Sequence, residues 1–275
     1  MFRIATAAFA APVLLAGAAL AAPITTQTFD TDPILSDTQA SGAWYTDRFP
    51  PSVFKSTDFM GDARLELGLD AADGAGNRGG TPFSSGFYDT QGRKFDTPGA
   101  LSLQIDMYMD PLWENLPADQ RVGGLWGSVE TTTGLVSDYL FPIMEFINGE
   151  FVAYDTADTG TFVGLGLPSN FAYGEFATLG ISLNLADSLF EYYVNGEMLG
   201  AFSADPGGGE SSVAIVNAIV QGVNRPAETR SMFFDNFIAD TAPISSAVPV
   251  PAAAPLLLSA LGFLAFARRR RAAQA

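Results

Sequence analysis

The 275-residue chain contains no histidine and no cysteine. That removes the commonest general base, the commonest transition-metal ligand and the thiol nucleophile together. No Ser-His-Asp or Cys-His arrangement can be assembled from what remains. Carboxylates are plentiful, with 30 Asp and Glu against 14 Lys and Arg. Glu145 and Glu150 flank Asn148-Gly149, and Asp106 and Asp110 sit at opposite ends of a strand pair position. In so acidic a chain these four are expected as solvated surface carboxylates. Asp70, Asp73 and Asn77 place oxygen donors in a Gly-containing loop (DAADGAGN), the ligand type calcium requires, although the spacing is not that of an EF-hand. Asp155 and Asp158 form a second such loop. A plain solvated turn is the competing reading for both, so calcium is left open and no other cofactor is indicated. Stacking on a sugar ring needs an exposed aromatic side chain. Trp113, in the Pro-containing loop DPLWENLPADQR, is the best placed, with packing over a sheet edge as its alternative. Trp126 falls in a strand and is expected in the core, while Trp44 stays undecided.

The two ends of the chain say where these residues would work. Residues 252–267 (AAAPLLLSALGFLAFA) carry no charge, and Arg268, Arg269, Arg270 and Arg271 follow at once. A bilayer crossing takes roughly 20 apolar residues, and uncharged Ala247, Val248 and Val250 extend the run. The positive-inside bias would put the arginines in the cytoplasm and the body outside. A buried core helix would show polar residues at helical spacing, which this run lacks. At the other end, Arg3, an apolar stretch and Ala19-Leu20-Ala21 make a signal-peptide pattern. Cleavage after Ala21 is preferred, because Pro23 would disfavour a cut next to it. The expected organisation is signal peptide 1–21, β-sandwich domain 22–241, linker and sorting motif 242–251, transmembrane helix 252–267 and basic cytoplasmic tail 268–275.

Val248-Pro249-Val250-Pro251-Ala252, the apolar run and the arginine cluster together resemble the PEP-CTERM sorting signals. The match is to the variant with a Val-Pro-Leu-Pro-Ala box, Val250 replacing its leucine, and it covers the last 28 residues. The resemblance implies a transient partner, an exosortase-type membrane peptidase. It also implies passage through the inner membrane to the cell envelope or extracellular matrix of a Gram-negative bacterium.

Five of the basic residues, Arg3 and the terminal arginines, lie in these signals, leaving 9 against 30 acidic residues and a body at −21. That argues against nucleic acid and anionic lipid surfaces as partners. The body reads as β throughout. Leu101, Leu103, Ile105, Met107 and Met109 alternate with Ser102, Gln104, Asp106 and Tyr108, the period of a half-buried strand. Further strands are expected at 64–69, 122–130, 139–147, 150–154, 177–185, 189–194, 212–223 and 231–239. Asn148-Gly149 and Asn195-Gly196 favour type I′ hairpin turns, since both residue types accept positive φ. The fold class that follows is all-β, a two-sheet antiparallel sandwich.

Residues 183–200 (LNLADSLFEYYVNGEMLG), followed by Phe233-Phe234-Asp235-Asn236-Phe237, resemble the second half of concanavalin A-like jelly rolls, the group of laminin G-like domains and legume-type lectins. The resemblance spans roughly 95–240 and leaves 24–94 to supply edge strands and first loops. Glycoside hydrolases on that fold carry Glu-x-Asp-x-x-Glu or Glu-x-Asp-x-Glu on one strand, and neither run occurs. Catalysis is therefore disfavoured. The expected function is a non-catalytic binding or matrix protein associated with exopolysaccharide. The alternatives are a structural surface protein without a small ligand and a divergent glycoside hydrolase or lyase.

Overall fold

The computed structural model describes residues 23–46, 48–74, 89–117, 120–134, 140–205 and 207–244. Both terminal signals, residues 1–22 and 245–275, lie outside it, with the sorting motif, the apolar run and the arginine cluster. Among the described residues no helix is long and apolar enough to cross a membrane.

Among the described residues sixteen strands build two sheets. One, called the strap sheet here, holds β1 (Thr25–Gln27), β4 (Val53–Phe59), β5 (Asp62–Leu69), β7 (Ser102–Tyr108), β12 (Phe176–Asn184), β13 (Leu189–Val194), β14 (Glu197–Ser203) and β16 (Arg230–Asp240). Its order is β14-β13-β12-β7-β16-β5-β4, with β1 also paired to β16. The other, the groove sheet, holds β2 (Leu35–Ser36), β3 (Trp44–Thr46), β6 (Thr90–Ala100), β8 (Arg121–Thr131), β9 (Ile143–Ile147), β10 (Glu150–Asp155), β11 (Thr161–Gly166) and β15 (Ser212–Val223). Its order is β11-β10-β9-β8-β15-β6-β3-β2. Every pairing is antiparallel except β2 with β3. The chain changes sheet between β1 and β2, β3 and β4, β5 and β6, β6 and β7, β7 and β8, β11 and β12, β14 and β15, and β15 and β16. The last two strands therefore enter the middle of each sheet, a jelly-roll path.

Period-two alternation explains why these segments pair face to face. Leu103, Ile105 and Met107 of β7 and Leu179, Ile181 and Leu183 of β12 point inward, against Leu125 and Val129 of β8 and Ala218 and Val220 of β15. One end of the core is aromatic, with Trp44 touching Phe29, Phe54, Phe95 and Phe237. The tryptophan left undecided by the sequence is thus a core residue, its indole N–H donating to Gln27 Oε1 at 2.8 Å.

Both expected hairpins close with positive φ at both turn residues, Asn148 at 54° and Gly149 at 82°, Asn195 at 51° and Gly196 at 78°. Of the strand expected at 139–147, residue 139 lies outside the described residues and the rest is strand over Ile143–Ile147, Pro142 having no N–H to give a ladder. Residues 24–94 supply more than edges. β6 is eleven residues long and lies between β15 and β3. Its polar sequence, TQGRKFDTPGA, hides it from a hydrophobic-periodicity reading.

The last described residues form a strap across the outer face of the strap sheet. Ser102 Oγ donates to Ala242 O at 2.7 Å, Ile244 N donates to Ser182 Oγ at 3.0 Å, and Ile244 covers Gly180.

Candidate functional site

The outer face of the groove sheet departs from the usual sandwich pattern, in which outward residues are solvated. Opposite their inward neighbours, β15 turns Ile219 and Gln221 outward, β8 Trp126, and β9 Ile143 and Glu145. All five are buried, and Trp126, Ile143 and Ile219 form a hydrophobic cluster of their own. Two rows cross the strands. The first runs Gly92, Gln221, Gly124, Glu145, Val152, Gly164. The second runs Lys94, Ile219, Trp126, Ile143. Glycines alternating with side chains make the first row a shallow channel. Gly92 must be glycine, because a Cβ there would sit 2.4 Å from Val220 O.

Glu145 is the centre of that row, with no exposed surface. Arg121 grips both its oxygens, Nε to Oε2 at 2.8 Å and Nη2 to Oε1 at 2.6 Å, and Gln221 Nε2 donates to Oε1 at 2.8 Å. Burial works against the Arg121 charge, but Glu145, by charge and by hydrogen bond, more than offsets it and leaves the guanidinium held above its ordinary value. The expectation that Glu145 is a solvated surface carboxylate is corrected here. An outward strand residue is solvated only where its neighbours leave it open, and Arg121 and Gln221 close over this one. Asp106, also expected in solvent, is half-buried and takes hydrogen bonds from Thr178 Oγ1 at 2.5 Å and Asn236 Nδ2 at 2.8 Å. Asp110 is half-buried and caps a short 3-10 turn, accepting from Leu112 N at 2.8 Å.

Beside this triad lies a small cavity walled by Arg48, Phe49, Thr90, Gly92, Trp126, Ile219 and Gln221. Its volume is about 10 Å³, room for one water or one hydroxyl group. The Arg48 guanidinium lies over the Trp126 ring, 4.4 Å from its centroid, and Phe141 meets that ring edge-on at 5.5 Å. Gln221 is only 1% exposed. Its Nε2 is committed to a carboxylate that can only accept, so the amide orientation is determined. The other end, Oε1, is buried without a hydrogen-bond partner among the described residues. Unsatisfied buried acceptors are uncommon and costly. Further along the channel Arg121 stacks over Phe162 at 4.9 Å, and Tyr154 touches Phe162 at 5.2 Å.

The residues singled out from the sequence do not assemble here. Trp113 is 6% exposed and packs against Phe146 in the core, so the ring expected at the surface is not presented there. The reason is local: the 3-10 turn Pro111–Asn115 puts Leu112 outside and folds the indole under. Trp126 is buried as expected, at 2%, but on the outer face rather than between the sheets. Asp70 spends a carboxylate oxygen capping the 3-10 turn Ala71–Asp73, accepting from Ala72 N at 2.8 Å. Asp73 is exposed, and Asn77 lies outside the described residues. Asp155 turns inward and accepts from Asp158 N, Thr159 N and Thr159 Oγ1. Among the described residues no three carboxylates converge as a metal site would need. A larger depression of about 340 Å³ follows residues 26–34. Its carboxylates are already occupied, Asp30 by Thr28 Oγ1 and Asp32 by Ser56 N.

The sequence matches no family model and no curated protein sequence. Solved structures with a similar chain course include the cellulose-induced protein Cip1, with a TM-score of 0.48, 9% identity, and coverage of 79% of this chain and 97% of that one. Alginate lyase vAL-1 from a Chlorella virus is similar at a TM-score of 0.43 and 14% identity, covering 72% and 93%. Domain 4 of AbnA, a GH43 extracellular arabinanase from Geobacillus stearothermophilus solved with arabinotriose, is similar at 0.44 and 10%, covering 83% and 96%. Likenesses this loose assign no role to any residue.

Proposed function

We propose that this is an exported, non-catalytic polysaccharide-binding protein whose ligand lies in the channel on the outer face of the groove sheet. The observation that carries this reading is the buried, unmatched Oε1 of Gln221 at a cavity the size of one hydroxyl, next to the Trp126 indole. A sugar hydroxyl would supply the donor that this oxygen lacks. The binding role is favoured over hydrolysis because Glu145, the carboxylate at the centre of the channel, has both oxygens tied to Arg121. Neither of its oxygens is free to reach a reacting atom.

Calorimetric titration against a panel of soluble bacterial and plant polysaccharides tests the reading, with a reducing-sugar assay alongside. Wild type should bind at least one polysaccharide and release no reducing ends. Thr90→Leu, which adds bulk to the cavity wall, should bind none while melting near wild type. Absence of any glycan binding would favour a structural surface protein, and turnover would establish an enzyme.

Delivery belongs to the same proposal. The tail would hand the protein to an exosortase-type peptidase on its way to the envelope or matrix. Changing Arg268 to Arg271 together to serine should release or misorient the protein. Unchanged membrane fractionation would remove this account of the tail.

A further inference from the structure

We infer that the hairpin joining β4 to β5 is a flap over a second binding site, on the outer face of the strap sheet, and that it closes on a pyranose ring with adjacent hydroxyls. The site is separate from the channel and shares with the reading above only its ligand class. β4 and β5 pair with each other along their whole length, from Val53 with Gly68 to Phe59 with Asp62. β5 pairs with β16 only from Leu65 to Leu69, because from Phe237 onward that edge of β16 is taken by β1. Residues 57–64 therefore leave the sheet as a two-stranded ribbon. The ribbon bends over the outer face, where Phe59 stacks on Phe233 with centroids 3.7 Å apart and planes at 10°. Phe59 also meets Tyr108 edge-on at 4.8 Å and Phe176 at 6.4 Å. Phe233, Tyr108 and Phe176 point outward, since their neighbours Phe234, Met107 and Ala177 are in the core. Side chains hold the flap shut: this stack, the ion pair of Arg64 Nη1 with Asp235 Oδ2, and the Arg64 guanidinium 5.1 Å from the Phe176 ring centroid.

Four rings gather on a face where solvated side chains are the rule, and all four are half-buried rather than closed off. Beneath the flap two polar atoms are buried without a hydrogen-bond partner, Asp235 Oδ1 and Arg64 Nε. The first can only accept and the second can only donate. An amine would match the carboxylate and oppose the guanidinium, and a carboxylate would do the reverse. A hydroxyl both donates and accepts, so two adjacent hydroxyls match both atoms. Asp106, directly opposite Asp235, and the exposed Asn236 add polar partners at the rim. A pyranose brings adjacent hydroxyls to that rim and an apolar C–H face to the rings. Lifting Phe59 from Phe233 by about 3.5 Å, the contact distance of one further layer of carbon, opens a slot with an aromatic wall on each side. That movement breaks no ladder bond between β5 and β16, because residues 62–64 make none.

The test uses the full chain in detergent, with cello-, xylo- and mannohexaose and a galacturonate hexamer as probes. Binding is read by calorimetric titration, and the flap by amide hydrogen exchange over residues 57–64. At least one probe should bind. Exchange over 57–64 should be faster than in β7 and β16 of the free protein, and should slow at least tenfold with that probe bound. Phe59→Leu and Phe233→Leu, which keep an apolar side chain and remove a flat ring, should each weaken binding about tenfold. Phe59→Tyr, which keeps the ring, should bind like wild type. Phe59 sits on the ribbon and outside the core, so its variants carry the test if Phe233→Leu does not fold. Binding lost in Phe59→Leu and kept in Thr90→Leu supports this site and removes the channel. The opposite pattern keeps the channel and overturns this site. Binding that leaves exchange over 57–64 unchanged overturns the flap. If no probe binds, this inference and the binding reading fall together.

Discussion

Removing Arg121 while keeping Glu145 should be among the most damaging single changes available to this domain. Glu145 has no exposed surface and receives three hydrogen bonds, two from Arg121 and one from Gln221 Nε2. Arg121→Met takes away two of the three and the balancing charge, and puts an alkyl chain where water would have to enter. Breaking a buried pair from one side costs about 3–5 kcal/mol. The Arg121 side chain keeps 19% exposure, which lets some water reach the stranded carboxylate and places the cost near the lower end. At about 2–4 °C per kcal/mol for a domain of this size, the melting temperature should fall by roughly 6–12 °C. Arg121→Met with Glu145→Gln leaves no buried charge, and the new amide oxygen still accepts from Gln221. That double variant should recover at least half of the loss. Urea unfolding of wild type, both single variants and the double variant completes the cycle. A cost below about 1 kcal/mol for Arg121→Met, or a double variant no more stable than it, would show that Glu145 is hydrated. The rigid positioning of Gln221 would then fail as well.

Three further outcomes follow from local geometry. Burial, then the hydrogen bond to Glu191 at 2.7 Å and the charge on Glu191, push the Tyr193 hydroxyl up to about 12. Its folded value lies above the unfolded one of about 10, so its contribution is complete below pH 10 and lost as pH rises through 12. The urea-midpoint advantage of wild type over Tyr193→Phe should accordingly shrink between pH 9 and 12, and a constant difference would refute the linkage. Asn195→Val with Gly196→Val forces two β-branched residues to φ of 51° and 78°, at about 1–2 kcal/mol each; an unshifted melt would mean the turn can take another form. Gly92→Ala drives a Cβ to 2.4 Å from Val220 O, so β6 should separate from β15 with a loss of about 2 kcal/mol or more. A variant matching wild type in urea would contradict that close approach.

Strands whose two faces differ showed both their extent and their facing in the sequence, whereas strands buried on both faces, β8 and β15, showed their extent alone. β7 alternates apolar and polar residues because one side faces the core and the other is open, and the periodicity reports both. β15 was placed at Ser212–Val223 by its β-branched content, but nothing in that run distinguishes Ile219 and Gln221, which point out, from Ala218 and Val220, which point in. β6 gave no signal because its outward Gly92, Lys94 and Asp96 are polar and its inward row includes Gln91, Arg93 and Thr97. Those inward polar groups are satisfied by contacts far away in sequence. Gln91 bonds Pro50 O and Asn224, Arg93 bonds the carbonyls of Ser36 and Trp44, and Thr97 bonds Ile215 O.

The same reasoning explains why the sequence pointed to Trp113 and the calcium-type loops rather than to the channel. Sequence spacing picks out chemistry carried on one segment, and each of those candidates is a single loop whose polar groups turn out to serve its own turn. The triad of Arg121, Glu145 and Gln221 spans 100 residues and is joined only when β15 enters between β8 and β6. One signal was present in the sequence. The body has only 9 basic residues, and Arg121 heads β8, whose Arg-Val-Gly-Gly-Leu-Trp sequence holds no acidic partner. A charge so scarce at the mouth of an apolar strand has to be matched from elsewhere, and the match had to be an acid that the fold would bury. Glu145, at the heart of the Ile-Met-Glu-Phe-Ile strand, is the acid most enclosed by apolar neighbours. Its sequence context already argued against the solvated surface position first expected for it.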